Sequence, residues 1–351
     1  KPNICVLENV HFDEGELKEY MNFVGRDLFT APLQTTLRQF EESDNFGSLI
    51  RPDVTDVDGM LRILESKNVS GHLFLSMTHQ KVLQALRQSD YLSPKYHVVT
   101  ANPPYMNSGN ANADLNKWLK SHYPHSKTDL MTAFMERGLQ LIRDNGILAM
   151  INLPSWMFLS SFSAFRNTLL RGAQFNSVIH LGRGIFGSDF GTVAFAICKR
   201  GPSPKWRCIF RKLFDDHVDV RSVNRIRQNF LDYDLGRFSA VQSDLLEIPG
   251  SPLAYWAGHK AIAAFKEKLV GDLGDTRRGL QTGDKDRFIR NWFEPDQSRI
   301  DLRSRDRDDA LDVKKKWYRF NNGGPFRKWY GNLDLVVNWE NHGNDIKASG
   351  G

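Results

Sequence analysis

Four consecutive residues, Asn102-Pro103-Pro104-Tyr105, are the strongest chemical signal in this chain. A side-chain amide and the next backbone carbonyl offer two acceptors to the two hydrogens of a single amino group. That arrangement suits a nitrogen whose lone pair is delocalised, such as the exocyclic amine of adenine or the side-chain amide of glutamine. Gripping both hydrogens localises the lone pair and aims the nitrogen. The two prolines fix φ and keep the preceding residues extended, which holds the Pro103 carbonyl in place at little entropic cost. Tyr105 adds a flat face for a base rotated out of a duplex. Asn-Pro and Pro-Pro are also turn dipeptides, so a plain strand-ending turn is the bland alternative. At average residue frequencies the tetrapeptide arises by chance in a chain of this size with a probability on the order of 10⁻³, which favours the chemical reading.

The elements around the motif are legible. Tyr96-His97-Val98-Val99-Thr100-Ala101 is a short β-branched run stopped by Asn102-Pro103-Pro104, the pattern of a buried strand ended by proline. The motif therefore falls at the carboxyl end of a strand, where ligands bind in open α/β sheets. A polar loop is expected over 106–126, then a helix whose apolar residues recur from Leu130/Met131 to Leu141/Ile142, with Asn145-Gly146 as its stop. Ile147 to Leu153 reads as a strand, Phe162 to Leu170 as a helix, and Phe175 to Leu181 and Thr192 to Cys198 as two further strands without a helix between them. This order describes a parallel α/β sheet finishing in an antiparallel hairpin. Asn3 to Leu7 also reads as a strand, and helical patterns occupy Leu33 to Phe40, Val57 to Leu64 and Thr78 to Leu86. Helices are expected near 219–230 and 258–269.

The string VVTANPPY resembles the catalytic motif of the amino-group DNA methyltransferases that use S-adenosylmethionine, as do the helix DLMTAFMERGLQLIRDNG and the segments ILAMINLPSWMF and VIHLGRGIFGSDFGTVAFAICKR after it. YHVVTANPPYMNSG, FGSLIRPDVTDVDGML, GLQTGDKDRFIRNWFE and RKWYGNLDLVVNWEN resemble, more closely, the PglX family of adenine-specific methyltransferases in BREX phage-defence systems. The resemblance runs over most of the chain and covers a middle section of those much longer proteins. It implies a site-specific DNA N6-adenine methyltransferase in which Asn102, Pro103 and Pro104 hold the amine of a flipped adenine and Tyr105 stacks on the base. A second stacking aromatic is implied in the loop before the last hairpin strand, Phe186 first and Phe190 second. The implied cofactor is S-adenosylmethionine, and the implied partners are double-stranded DNA and other BREX proteins.

The glycine-rich loop that should bind the cofactor is not visible ahead of the motif. Gly182-Arg183-Gly184-Ile185-Phe186-Gly187 matches G-x-G-x-x-G, but it leads from a strand into another strand, and no acidic residue follows about 20 residues later. A loop without a following helix lacks the aligned amides that hold an anion. It is expected to be the hairpin loop near the target base, with the true cofactor loop lying before Lys1. The fold class implied is an incomplete Rossmann-like methyltransferase sheet ending in an antiparallel hairpin, followed by a helical connector and part of an α+β target-recognition domain. The corresponding boundaries are 1–200, 201–270 and 271–351.

Charge is unevenly distributed. The chain has 47 basic and 41 acidic residues, for a net +6. From Lys199 to Arg227 there are nine basic residues against three acidic ones, a surplus equal to the total. A later run alternates Lys314, Lys315, Lys316, Arg319, Arg327 and Lys328 with Trp317, Tyr318, Phe320, Phe326, Trp329 and Tyr330, offering stacking and phosphate-pairing groups together. A solvated face is the alternative for the first run. A small core is the alternative for the aromatics of the second. Gly279-Leu280-Gln281-Thr282-Gly283-Asp284 resembles the opening of a target-recognition domain, which makes Arg277, Arg278, Lys285 and Arg287 candidates for phosphate contacts and Trp317 and Lys328 candidates for base or backbone contacts.

With 351 residues, 40% of them apolar, the chain has enough length and apolar content for two domains or one large one. No apolar run approaches the roughly 18 residues a membrane-crossing helix needs. Three cysteines without C-x-x-C spacing argue against a disulfide frame or a structural zinc, and a cytoplasmic location is expected. His122 and His125 have metal-ligand spacing but no further ligands beside them, and direct methyl transfer to an amine needs no metal. Two other readings compete with DNA methylation. One is a protein-glutamine methyltransferase using the same amide trap, and the other is a non-catalytic DNA-binding segment of a defence complex.

Overall fold

The computed structural model describes residues 2–25, 31–54, 56–69, 71–187, 190–216, 219–274 and 279–349. The chain divides into two compact units, Lys1–Glu267 and Lys268–Gly351.

The first unit opens with helices α1 (Glu14–Val24), α2 (Ala31–Gln39), α3 (Val57–Glu65) and α4 (Leu73–Leu92). Asp13 caps α1 through the Glu16 amide, and Asp56 caps α3 through the Gly59 amide. Leu17, Tyr20, Leu33, Leu37, Val82 and Leu86 meet in a helical core of their own. The expected strand at Asn3 to Leu7 is absent. This stretch has no partner strand, and Ile4 and Val6 stay about 70% exposed (73% and 71%).

A six-stranded sheet follows, in the order β1-β2-β4-β3-β5-β6. Its strands are β1 (Tyr96–Ala101), β2 (Ile142–Asn152), β3 (Gln174–Arg183), β4 (Gly191–Cys198), β5 (Arg207–Lys212) and β6 (Arg237–Val241). β1 and β2 run parallel, and β4 pairs antiparallel with both β2 and β3. The hairpin is therefore present, but the sheet does not stop there. β5 runs parallel to β3 and β6 pairs antiparallel with β5, so the stretch expected to be a connector supplies two strands. Its Arg and Lys content hid an alternation in which Cys208 and Phe210 are buried.

Helix α5 (Ala113–His122) lies where a loop was expected. Asn112 caps it through the Leu115 amide, while Leu115 and Leu119 bury one face; the same Asn-rich composition that suggests a loop supplies the cap. Helix α6 (Leu130–Leu141), capped by Asp129, packs on the sheet. Gly138 permits the close approach, since a Cβ there would stand 2.5 Å from Leu148 Cδ1. The helix ends at Leu141, and Asn145 takes a left-handed turn (φ 62°) within β2. Helix α7 (Ser163–Gly172) links β2 to β3, and α8 (Val223–Leu231) links β5 to β6. The helix expected over 258–269 is a short one, His259–Ala263, followed by 3₁₀ turns.

The second unit holds a four-stranded sheet in the order β7-β10-β9-β8. The strands are β7 (Ile289–Asn291), β8 (Ile300–Asp301), β9 (Trp317–Phe320) and β10 (Leu335–Asn338). Phe288, Val337 and Ile346 form its small core, with Phe320 and Trp339 against them.

Candidate active site

Asn102 follows the last residue of β1, as the sequence requires. Pro103 is buried and fixes the turn; Asn102 and Pro104 are exposed, and Tyr105 is half-buried. The Tyr105 hydroxyl donates to Asn102 Oδ1 at 2.7 Å and lies 3.3 Å from the Ile151 carbonyl near the end of β2. Burial raises its pKa, so the phenol stays protonated and remains a donor at neutral pH. The amide oxygen of Asn102 therefore has one lone pair engaged and a second with which it can accept another hydrogen bond.

Phe190, one residue before β4, meets Tyr105 edge-on, with ring centroids 5.9 Å apart and an interplanar angle of 86°. Phe186, the first choice from sequence, is 49% exposed, and the described ring contacts pair Tyr105 with Phe190 instead. Nothing in the local sequence separates the two phenylalanines. The strand boundary at Gly191 places Phe190 at the root of β4.

Behind this surface the β2 end is locked. Asn152 is buried, accepts from Trp156 Nε1 at 3.0 Å and directs its Nδ2 to Met135 Sδ at 3.3 Å. The loop with the G-x-G-x-x-G pattern leads from β3 into β4 and holds no helix in its described residues. Gly184 (φ 109°) lies against residue 221, where a Cβ would overlap the Arg221 carbonyl at 1.9 Å. Gly184 serves close backbone packing, while Gly182 lies against the side chains of Arg221 and Phe214.

Many cations of the 199–227 run are used inside the fold. Arg211 donates to the carbonyls of Asn229 and Phe230 at the end of α8, Arg221 to that of Leu213, and Arg207 to that of Ser239. In the second unit Lys285 and Arg287 are exposed on the short helix Lys285–Phe288. Arg277 and Arg278 lie outside the described residues. Trp317 is partly buried, with the Arg290 guanidinium 6.0 Å from its ring centre. Tyr318 joins the buried residues, whereas Phe326, Trp329 and Tyr330 are 88%, 86% and 79% exposed, and Lys328 sits 5.4 Å over Trp329. The aromatic run thus divides between core and surface. Among the described residues no group of three or more potential ligands is placed to hold a metal, and His122 stacks on Trp118 at 4.4 Å.

Residues 38–186 match the model of the Eco57I restriction-modification methylase family. The adenine-specific methyltransferase PglX of Lacticaseibacillus casei is 33% identical over 95% of this chain, and the adenine-specific methyltransferase BrxX of Escherichia coli O9:H4 is 32% identical over 90%. The chain is similar to these two adenine-specific methyltransferases over most of its own length. It spans 29% of the length of the first relative and 26% of the second. A type I restriction-modification methyltransferase subunit from Streptococcus thermophilus aligns with 48% of this chain and 44% of its own at 14% identity and a TM-score of 0.32, a likeness too slight to bear on the fold.

Proposed function

We propose that this chain supplies the amine-holding part of a site-specific DNA N6-adenine methyltransferase. The observation that carries the proposal is the placement of Asn102 at the carboxyl end of β1, its amide oxygen fixed by Tyr105 and flanked by the Tyr105–Phe190 aromatic pair. A flipped adenine stacks against these rings, with Asn102 Oδ1 and the Pro103 carbonyl taking its two amine hydrogens. Drawing the hydrogens out of the ring plane localises the lone pair, and the nitrogen becomes a competent nucleophile. The two related methyltransferases that are named adenine-specific support adenine over glutamine as the acceptor.

S-adenosylmethionine is the donor this reading calls for, supplying an electrophilic methyl group. Among the described residues no strand, glycine loop and helix stand in sequence to cradle it, and the role we assign to Asn102, Pro103, Tyr105 and Phe190 is towards the acceptor. The partner is double-stranded DNA, held in part by the exposed Lys285, Arg287, Lys328 and Trp329. The PglX resemblance supports a role in bacterial phage defence in the cytoplasm, alongside other BREX proteins. Among the described residues no helix is long and apolar enough to cross a membrane.

The test is transfer of labelled methyl groups to duplex DNA by the whole protein that contains this chain. Asn102→Ala is expected to lower the rate by at least about 100-fold while DNA affinity stays within about twofold. Label appearing in glutamine of a protein substrate, and never in adenine, would overturn the proposal.

A further inference from the structure

A second cavity, of about 710 Å³, opens on the same edge of the sheet as Asn102. Its volume is that of a small-molecule site. It is walled by the carboxyl-terminal residues of β3 and β5 together with Pro154 after β2, Gly191 at the start of β4, and the aromatic segment at Tyr255-Trp256. Gly191 directly follows Phe190, so the cavity begins one residue from the aromatic pair at the acceptor site.

The walls are aromatic. Phe158 and Trp256 lie 5.6 Å apart at 47°, and His180 stands edge-on to Phe214 at 4.7 Å. Tyr255 closes the side, 4.9 Å from Trp256. Trp256 is 55% exposed, an uncommon state for an indole that has aromatic neighbours on hand to cover it. The charge is one-sided: Arg183 and Lys212 are in the wall, and no carboxylate is among its described residues. His180 and Lys212 are directly paired across the parallel β3 and β5 strands. Burial, together with the cations Lys212 and Arg221, pushes His180 down to about 4, so it is neutral at physiological pH and Lys212 is the cation the wall offers a ligand. The His180 Nδ1 is engaged by the Tyr255 hydroxyl at 3.2 Å, which fixes the ring.

We infer that this cavity binds a nucleotide, its base stacked on Trp256 and Phe158 and its phosphate paired with Lys212. Planar aromatic walls favour a planar heterocycle over an aliphatic ligand. The Lys212 ammonium in the wall favours an anionic group attached to it. A second adenine at the acceptor site would not use these residues. The same chemistry is offered by a free mononucleotide and by an unstacked nucleotide of a DNA strand.

The experiment uses the full chain carrying Asn102→Ala and Tyr105→Ala, which removes the acceptor site as a competing binder. Two probes are titrated: 2-aminopurine riboside 5′-monophosphate, and a short single-stranded oligonucleotide with one 2-aminopurine. Saturable quenching of either probe is expected, and which one responds identifies the source. Trp256→Ala should weaken binding on the order of tenfold, and Trp256→Phe, which keeps a stacking plane, should restore most of it. Lys212→Gln should remove the advantage of the monophosphate over the unphosphorylated riboside. No quenching of either probe, or quenching unchanged by Trp256→Ala and Lys212→Gln, would overturn the inference. Neither result depends on methyl transfer.

Discussion

The amide oxygen of Asn102 has two lone pairs, and the Tyr105 hydroxyl at 2.7 Å takes one of them. On the proposed function Tyr105 serves two purposes that substitution can separate. Tyr105→Phe keeps the stacking face and loses the hydroxyl, so Asn102 is less well aimed. Turnover is expected to drop about three- to tenfold with KM nearly unchanged, the size of one neutral hydrogen bond. Tyr105→Ala should raise KM as well, because the stacking face is gone. Steady-state methylation kinetics on the two variants of the whole protein check this; equal effects on KM would show that the hydroxyl does not orient Asn102. The place of the motif at the end of β1 was legible, because a β-branched run stopped by two prolines marks a strand end. The tyrosine-to-asparagine hydrogen bond was not, since no periodicity reports a side chain folding back three residues. That Phe190 lies beside Tyr105 was likewise not legible, because it rests on where β4 begins.

At the scale of elements, one buried side chain ties several segments together. Arg166 on α7 is 1% exposed and donates to the carbonyls of Trp156 and Leu159 at 2.9 and 2.6 Å and of Gly250 and Ser251 at 2.6 and 3.1 Å. It pins the turn after β2 to the segment that leads into Tyr255 and Trp256. Arg166→Met leaves those carbonyls without their donor, and a loss of about 3 kcal/mol is expected from urea unfolding. A loss below about 1 kcal/mol would mean that water replaces the guanidinium. The four strands and two helices around the motif were readable from apolar spacing. Helix α5 was not, because its Asn112 cap sits in an Asn-, Gly- and Ser-rich stretch whose composition is that of a loop. β5 and β6 were missed because their exposed faces carry Arg207 and Arg237 within a run dominated by charge.

For the whole molecule, two histidines make stability depend on acidity. Burial lowers the pKa of His79, which is hydrogen bonded to Tyr20 at 2.7 Å, and brings His180 down to about 4. Both hold fewer protons folded than unfolded once pH drops below their unfolded value of about 6.5. Stability should therefore be fully present above about pH 6.5 and fall as pH falls, the His180 contribution being lost down to about pH 4. Urea midpoints measured between pH 7 and 4 check this. His180→Phe should flatten the decline, and a parallel decline in the variant would remove His180 from the account. The chain divides between Glu267 and Lys268, and the sequence texture changes beyond Gly271. The self-contained helical core ahead of β1 was not legible in the sequence, because single helical patterns do not say which of them pack together.

The central position of β4 has one more consequence. Asn152 of β2 lies opposite Val193 of β4, and Phe190 stands three residues before that pair. The ring that meets Tyr105 thus sits at the foot of β4, one residue outside the strand. A slip of one residue between β2 and β4 would displace the strand end it is attached to by about 3.3 Å. The aromatic pair is in effect a gauge of strand alignment, and the jaws that would grip a base can be no better set than the sheet is registered.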